Sequence, residues 1–177
     1  MHSPYAYRFV KDVLRPRPYG YYAYQEANEF LEGKESHNHN FVNLIRFTIR
    51  LVIFLQAKRL ILAGDKPRFA EIAAKALKIQ YIKISDLINF KFQNSDLLIL
   101  TPSANLHLPP SFHAAITSPS GDLESVSIFA MNPSPEIRRY LEIPVPKGLL
   151  LNGKRNMILV PRPGMEYVAY DININFR

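Results

Sequence analysis

Arg59-Leu60-Ile61-Leu62-Ala63-Gly64-Asp65-Lys66-Pro67-Arg68 is the stretch that decides the fold. After Arg59 come four consecutive apolar residues that end on a glycine, with no alternation of polar and apolar positions. A strand with this pattern has to be covered on both faces, as a parallel strand inside an α/β sheet is. Helical spacing follows at once. Phe69, Ile72, Ala73, Ala76 and Leu77 make one apolar face, and Glu71 and Lys75 pair one turn apart on the other side. Pro67 suits the start of that helix and Asp65 is expected to cap it.

Working outward toward the C-terminus, residues 79–84 alternate and read as a second strand. Residues 95–100 (Ser-Asp-Leu-Leu-Ile-Leu) read as a third, buried on both faces. Residues 126–130 make a fourth strand and 135–141 a helix. Three short strands close the chain at 149–151, 157–160 and 167–172. Asn152-Gly153 is a hairpin turn signal between the first two, and Arg162-Pro163-Gly164 a turn before the third. The spacing predicts a mostly parallel sheet with the 60–63 strand at its centre, flanked by 79–84 and 95–100, and an antiparallel C-terminal hairpin.

Toward the N-terminus the character is helical. Ser3 caps a helix that Pro4 opens, and Ala6, Phe9, Val10, Val13 and Leu14 form its stripe before Arg15-Pro16-Arg17-Pro18 and Gly20 end it. Residues 22–31 form a second helix facing inward through Ala23, Ala27, Phe30 and Leu31. A polar loop at 33–40 leads to an apolar helix at 41–55. That helix is shorter than the roughly 20 residues a bilayer requires. It also carries Asn43, Arg46 and Arg50 in line, so it is a core helix with a polar stripe. Residues 1–57 are thus a helical N-terminal extension and 58–177 the sheet core of one domain.

A chain of 177 residues suits one core, and 47% hydrophobic residues suffice to fill it. No cysteine occurs, which excludes disulfides, thiolate metal sites and a cysteine nucleophile. The first residues lack a charged start followed by an apolar stretch, so the expected location is cytoplasmic, with no membrane contact. The net charge of +7 permits binding to nucleic acid, but no run of five like charges concentrates it.

The segments His2-Ser3-Pro4-Tyr5-Ala6-Tyr7 and Tyr21-Tyr22-Ala23-Tyr24, followed by a helix and then Lys58-Arg59-Leu60-Ile61-Leu62-Ala63-Gly64, carry a resemblance. Ser134-Pro135-Glu136-Ile137-Arg138-Arg139-Tyr140 and Pro161-Arg162-Pro163-Gly164 extend it over nearly the whole chain. The sequence resembles a bacterial family of class I S-adenosylmethionine (SAM)-dependent methyltransferases. That resemblance implies an α/β, Rossmann-like methyltransferase-type sheet, and SAM as cofactor if the site survives.

The departures from the family pattern bear on that site. The resemblance implies an acidic residue at the end of the first strand, then glycines at alternate positions that let the backbone approach the cofactor. Here the acidic position is Leu62. Gly64 is kept, but the later glycine positions hold Lys66 and Arg68, which are expected to put two cations where SAM would lie. The carboxylate for the ribose falls near Ser85 and Asp86. Further acidic positions fall at Thr101 and at Ala130-Met131. Between 84 and 95 there is no room for the helix and strand the family places there. Gly64, Asp65 and Asp86 are therefore the vestigial cofactor positions, with no catalytic residue and no cofactor expected. The implied function is a methyltransferase-like scaffold that is catalytically inactive and acts through protein–protein interaction. The alternatives are an active SAM-dependent methyltransferase with an atypical loop and a basic nucleic-acid-associated protein.

His37-Asn38-His39 beside Glu35 is compatible with a metal site, but reads as a polar loop and no metal is assigned to it. His107 and His113 flank Pro109-Pro110 and carry no role. No Gly-x-Ser-x-Gly elbow or phosphate loop occurs. Six of the ten tyrosines (Tyr5, Tyr7, Tyr19, Tyr21, Tyr22, Tyr24) fall in the first 24 residues, among Arg8, Lys11, Arg15 and Arg17. Such a mixture suits stacking on single-stranded nucleic acid, a protein interface such as a homo-oligomer's, or the packing of two helices over the sheet.

Overall fold

The computed structural model describes residues 3–15, 21–85, 90–93, 95–103, 126–142, 148–162, 164–172 and 174. The Ser3 hydroxyl accepts the Ala6 N–H at 3.3 Å and opens α1 (Pro4–Phe9), which widens into a π-helical stretch over Val10–Leu14. Then come α2 (Tyr22–Glu29), a 3-10 turn (Gly33–Glu35) and α3 (His39–Leu55). The Asn38 side chain accepts the Phe41 N–H at 3.1 Å, so α3 starts two residues ahead of its apolar run. It stops where Gln56 turns left-handed, at φ 54°.

The sheet is built from β1 (Arg59–Ala63), β2 (Gln80–Ile84), β3 (Asp96–Leu100), β4 (Ser127–Met131), β5 (Gly148–Asn152), β6 (Asn156–Pro161) and β7 (Val168–Asp171). Helix α4 (Arg68–Leu77) joins β1 to β2, and α5 (Pro135–Glu142) follows β4. All seven strands form one sheet in the order β2-β1-β3-β4-β6-β5-β7. The first four are parallel, β6 runs antiparallel between β4 and β5, and β7 lies parallel to β5. The topology is Rossmann-like, with helices at its N-terminal end.

Two details differ from expectation. β1 is flanked by β2 and β3, but it is second from the edge; β4 is the central strand, because all three C-terminal strands add on its side. The β5–β6 connection spans Gly153, Lys154 and Arg155, one residue more than the two-residue turn that Asn152-Gly153 suggests. With β6 inserted beside β4, the outer side of β5 is what remains for β7 to pair with. Among the described residues between β2 and β3, no helix or strand intervenes.

Strand alternation sorts the core into two layers. Leu60, Leu62, Leu97, Ile99, Phe129 and Ile158 face the layer of α1 to α4, where Phe9, Phe47, Ile49, Phe69 and Ile72 are fully or almost fully buried. Ile61, Ala63, Leu98, Leu100, Ile128 and Leu159 face the other side, under Ile137 and Leu141 of α5. The N-terminal helices therefore share one core with the sheet. The polar stripe of α3 turns inward: Arg50 is buried, its Nε donates to the Val13 carbonyl at 2.9 Å and its Nη1 to the Tyr24 hydroxyl at 3.0 Å. Among the described residues, no helix is long and apolar enough to cross a membrane.

Candidate functional site

Because β1, β2, β3 and β4 are parallel, their carboxyl ends share one edge. The chain leaves β1 toward β2 on one side and leaves β3 toward β4 on the other, so the order reverses between β1 and β3. Open α/β sheets hold ligands in the crevice at such a switch point. Here that crevice is flanked by Gly64-Asp65-Lys66 after β1 and Thr101-Pro102-Ser103 after β3.

The two loops are bonded directly to each other. Thr101 N–H donates to the Ala63 carbonyl at 3.1 Å, continuing the ladder past the end of the strands. The Thr101 hydroxyl lies 2.9 Å from the Asp65 carboxylate and 3.4 Å from the Ala63 carbonyl, and its single proton is better placed for the carboxylate. The Asp65 N–H in turn donates to the Ser103 hydroxyl at 2.8 Å. Hydrogen bonds from the Ser103 and Thr101 hydroxyls hold the Asp65 carboxyl below its ordinary range, and Lys66 adds a weaker pull. Gly64 (φ 107°) and Lys66 (φ 57°) are both left-handed, a conformation natural to glycine but not to lysine.

The expected cap is therefore corrected. Pro67 occupies the cap position of α4, no side chain caps the helix, and Asp65 is spent on β3's loop. Arg68 also departs from expectation, because it turns away from the crevice. Its Nη2 donates to Glu32 at 2.8 Å and to the Phe30 carbonyl at 3.0 Å, and its Nε lies 3.4 Å from Glu35. Glu32 and Glu35 cap the short turn between α2 and α3, so Arg68 ties the N-terminal helices to α4. Only Lys66 of the two cations stays exposed at this edge.

Leu62 is fully buried in the core facing the N-terminal helices. Ser85 is exposed at the end of β2, and Asp86 lies outside the described residues. Ala130 is buried and Met131 half-buried at the end of β4, so no acidic group stands there. The His37 ring meets the Ser36 hydroxyl at 3.1 Å, and among the described residues no cluster of His, Asp or Glu could hold a metal ion. His107 and His113 lie outside the described residues.

Packing absorbs part of the tyrosine-rich segment. Tyr5 packs at a tilt against Phe54 and lies under the Arg162 guanidinium; burial, the largest influence, pushes its phenol up, against the opposing pull of Arg162. Tyr21 packs edge-on to Tyr24, which sits under Arg46. Tyr7 and Tyr22 remain 60% and 73% exposed and carry no core role. Tyr19 lies outside the described residues.

The sequence reading did not single out the Arg59–Asp96 pair. Arg59 donates to both oxygens of Asp96, whose side chain is fully buried, and the Gln93 N–H adds a third bond at 2.7 Å. The signal was available: both residues open apolar strands, and they are register partners across β1 and β3. No protein-family model, curated protein or solved structure matches this chain.

Proposed function

We propose that this chain is a methyltransferase-like scaffold that does not transfer methyl groups and acts by contacting a protein partner, a second copy of itself being the first candidate. The observation that carries the reading is the Asp65–Thr101–Ser103 bridge across the switch-point crevice. It occupies the Asp65 carboxylate, one of the positions where the resemblance implies cofactor contact. Leu62, at the position where the resemblance implies an acid, faces the core and offers no acceptor. Losing a charged hydrogen bond costs about 1.5–3 kcal/mol. The Lys66 cation near a sulfonium adds about 1 kcal/mol of repulsion. Together, at about 2.5–4 kcal/mol, they weaken a micromolar site roughly 70- to 900-fold, to between about 0.1 and 1 mM. Exposed Tyr7 and Tyr22 support the contact half of the proposal, since tyrosine is enriched at interfaces.

Calorimetric titration with SAM and with its demethylated product tests the first half, and light scattering at high concentration the second. A dissociation constant no tighter than about 0.1 mM is expected for SAM and for its product, together with a concentration-dependent mass. A low-micromolar dissociation constant for either ligand overturns the inactive reading, and a monomer at all concentrations overturns self-association.

A second reading, an active SAM-dependent methyltransferase with an atypical loop, is favoured by one observation: Arg68 points to Glu32 and Glu35 and leaves the crevice with a single cation. The same calorimetry decides between the two. The nucleic-acid reading draws on exposed Lys66, Lys154 and Arg155, all at the ends of strands along this edge. A salt-dependent titration with single-stranded RNA would test it.

A further inference from the structure

The opposite edge of the sheet, where β3 and β4 begin and β6 ends, contains a cavity of about 180 Å³. Its lining includes Tyr5 from α1, Gln56 after α3, Ser95 and Asp96 at β3, Ser127 at β4 and Arg162 beyond β6. We propose that this cavity binds a small carboxylate, with Arg162 as its counter-ion.

Charge is the first argument. Asp96 is the one acidic group in the lining, and both of its oxygens are spent on Arg59 and the Gln93 N–H. Arg162 has no carboxylate within ion-pair distance among the described residues. Its guanidinium lies 4.3 Å from the centre of the Tyr5 ring, and Tyr5 is itself packed against Phe54. A cation held over an aromatic face is pre-oriented, so less side-chain freedom is lost when an anion arrives. Ser127 supplies a second polar group: only 4% of it is exposed, and it lines the cavity.

Shape selects the class of anion. The guanidinium fork matches a planar carboxylate with two parallel hydrogen bonds. A tetrahedral dianion would bring two charges to a site with one cation, and the unpaired charge would lose hydration without return. Leu55, Ala57, Val160 and Pro161 supply apolar wall for a short carbon chain. A water takes about 30 Å³ of liquid, so the cavity holds roughly six waters or one acid of a few carbons.

The test is amide NMR on the full chain, titrated with sodium acetate, sodium succinate, inorganic phosphate or sodium chloride at constant ionic strength. Saturable shifts at Gln56, Ala57 and Ser127 are expected with acetate or succinate at about millimolar, and none with chloride. Arg162→Gln should weaken binding at least tenfold, and Ser127→Ala a few-fold. Arg162 is exposed, so R162Q should fold, and its unliganded spectrum checks this. Arg162→Lys keeps the charge but not the fork and should weaken binding nearly as much. Non-saturable shifts, shifts equal to those with chloride, tighter binding of phosphate than of acetate, or full binding by a folded R162Q would each overturn the assignment.

Discussion

The Thr101 hydroxyl donates to the Asp65 carboxylate at 2.9 Å, joining the loops that follow two neighbouring parallel strands. Thr101 is buried and Asp65 exposed, so the bond ties an exposed carboxylate to a buried hydroxyl. Thr101→Val removes the donor at constant shape. The Ser103 hydroxyl, the larger influence on Asp65, is kept, so the Asp65 pKa should rise only part of the way toward the ordinary carboxylate value, and its NMR titration reads this directly. The sign for stability follows from the depressed folded-state pKa. Such a group stabilises above its unfolded pKa of about 3.9 and loses that contribution as pH falls through the folded value. T101V should therefore have a flatter stability curve than the native protein below about pH 4. An unchanged Asp65 titration in T101V would mean the bond is not formed in solution.

Arg50 joins three helices, through the Val13 carbonyl after α1 and the Tyr24 hydroxyl on α2. Arg50→Ala leaves a buried carbonyl without this donor and should cost about 2–3 kcal/mol, whereas Tyr24→Phe removes one bond and should cost about 1 kcal/mol. Urea unfolding of both variants checks the order. If the two cost the same, the Val13 bond contributes nothing.

Breaking the Arg59–Asp96 pair should be more damaging. Asp96→Ala leaves Arg59 without its partner at a side-chain exposure of 13%, and removing one member of a largely buried pair costs about 3–5 kcal/mol. Asp96→Asn keeps an acceptor for Arg59 and should cost less. Thermal unfolding in the order native, D96N, D96A is the expected result.

What the sequence made legible was whatever depends on period alone. The uninterrupted Leu60 to Ala63 run could only be a strand covered on both faces, and it is. The stripe of Phe69, Ile72, Ala73 and Ala76 could only face the sheet. Partnerships between distant residues were not legible. Asp65 reads as a helix cap from its distance to Arg68, but Thr101, 36 residues on, wins its carboxylate. Arg68 reads as a cation in the crevice until the fold brings Glu32 and Glu35 beside it. Local spacing cannot weigh a competitor that arrives only with the tertiary structure.

Two glycines near the C-terminal strands should not tolerate alanine. At Gly148 (φ 142°) an added Cβ would lie 2.4 Å from the Val160 carbonyl oxygen, and at Gly153 2.7 Å from that of Ile172. Both obstacles are backbone and cannot rotate away. G148A and G153A should each cost about 3 kcal/mol, while G164A, with open space but φ 81°, should cost about 1 kcal/mol. Denaturant midpoints check the ranking, and a G148A as stable as G164A would contradict the pairing of β5 with β6.

Leu62→Asp places an acid at the position where the resemblance implies one. Leu62 is fully buried among Leu60, Leu97, Ile99 and the N-terminal helices, so the new carboxyl would enter an apolar layer rather than the crevice. Losing the leucine from a packed core costs about 2–5 kcal/mol, and an unpaired polar group adds about 1–3 kcal/mol. Burial raises the folded-state pKa of such a group, so the folded chain holds its proton while the unfolded chain releases it above about pH 3.9. Stability should then fall from about pH 4 upward until the raised folded value is reached. The urea midpoint of L62D should lie well below that of the native protein at pH 4.5 and further below it at pH 7.5, with no gain in SAM binding by calorimetry. A stable L62D that bound SAM at micromolar concentration would place residue 62 in the crevice and overturn the inactive reading.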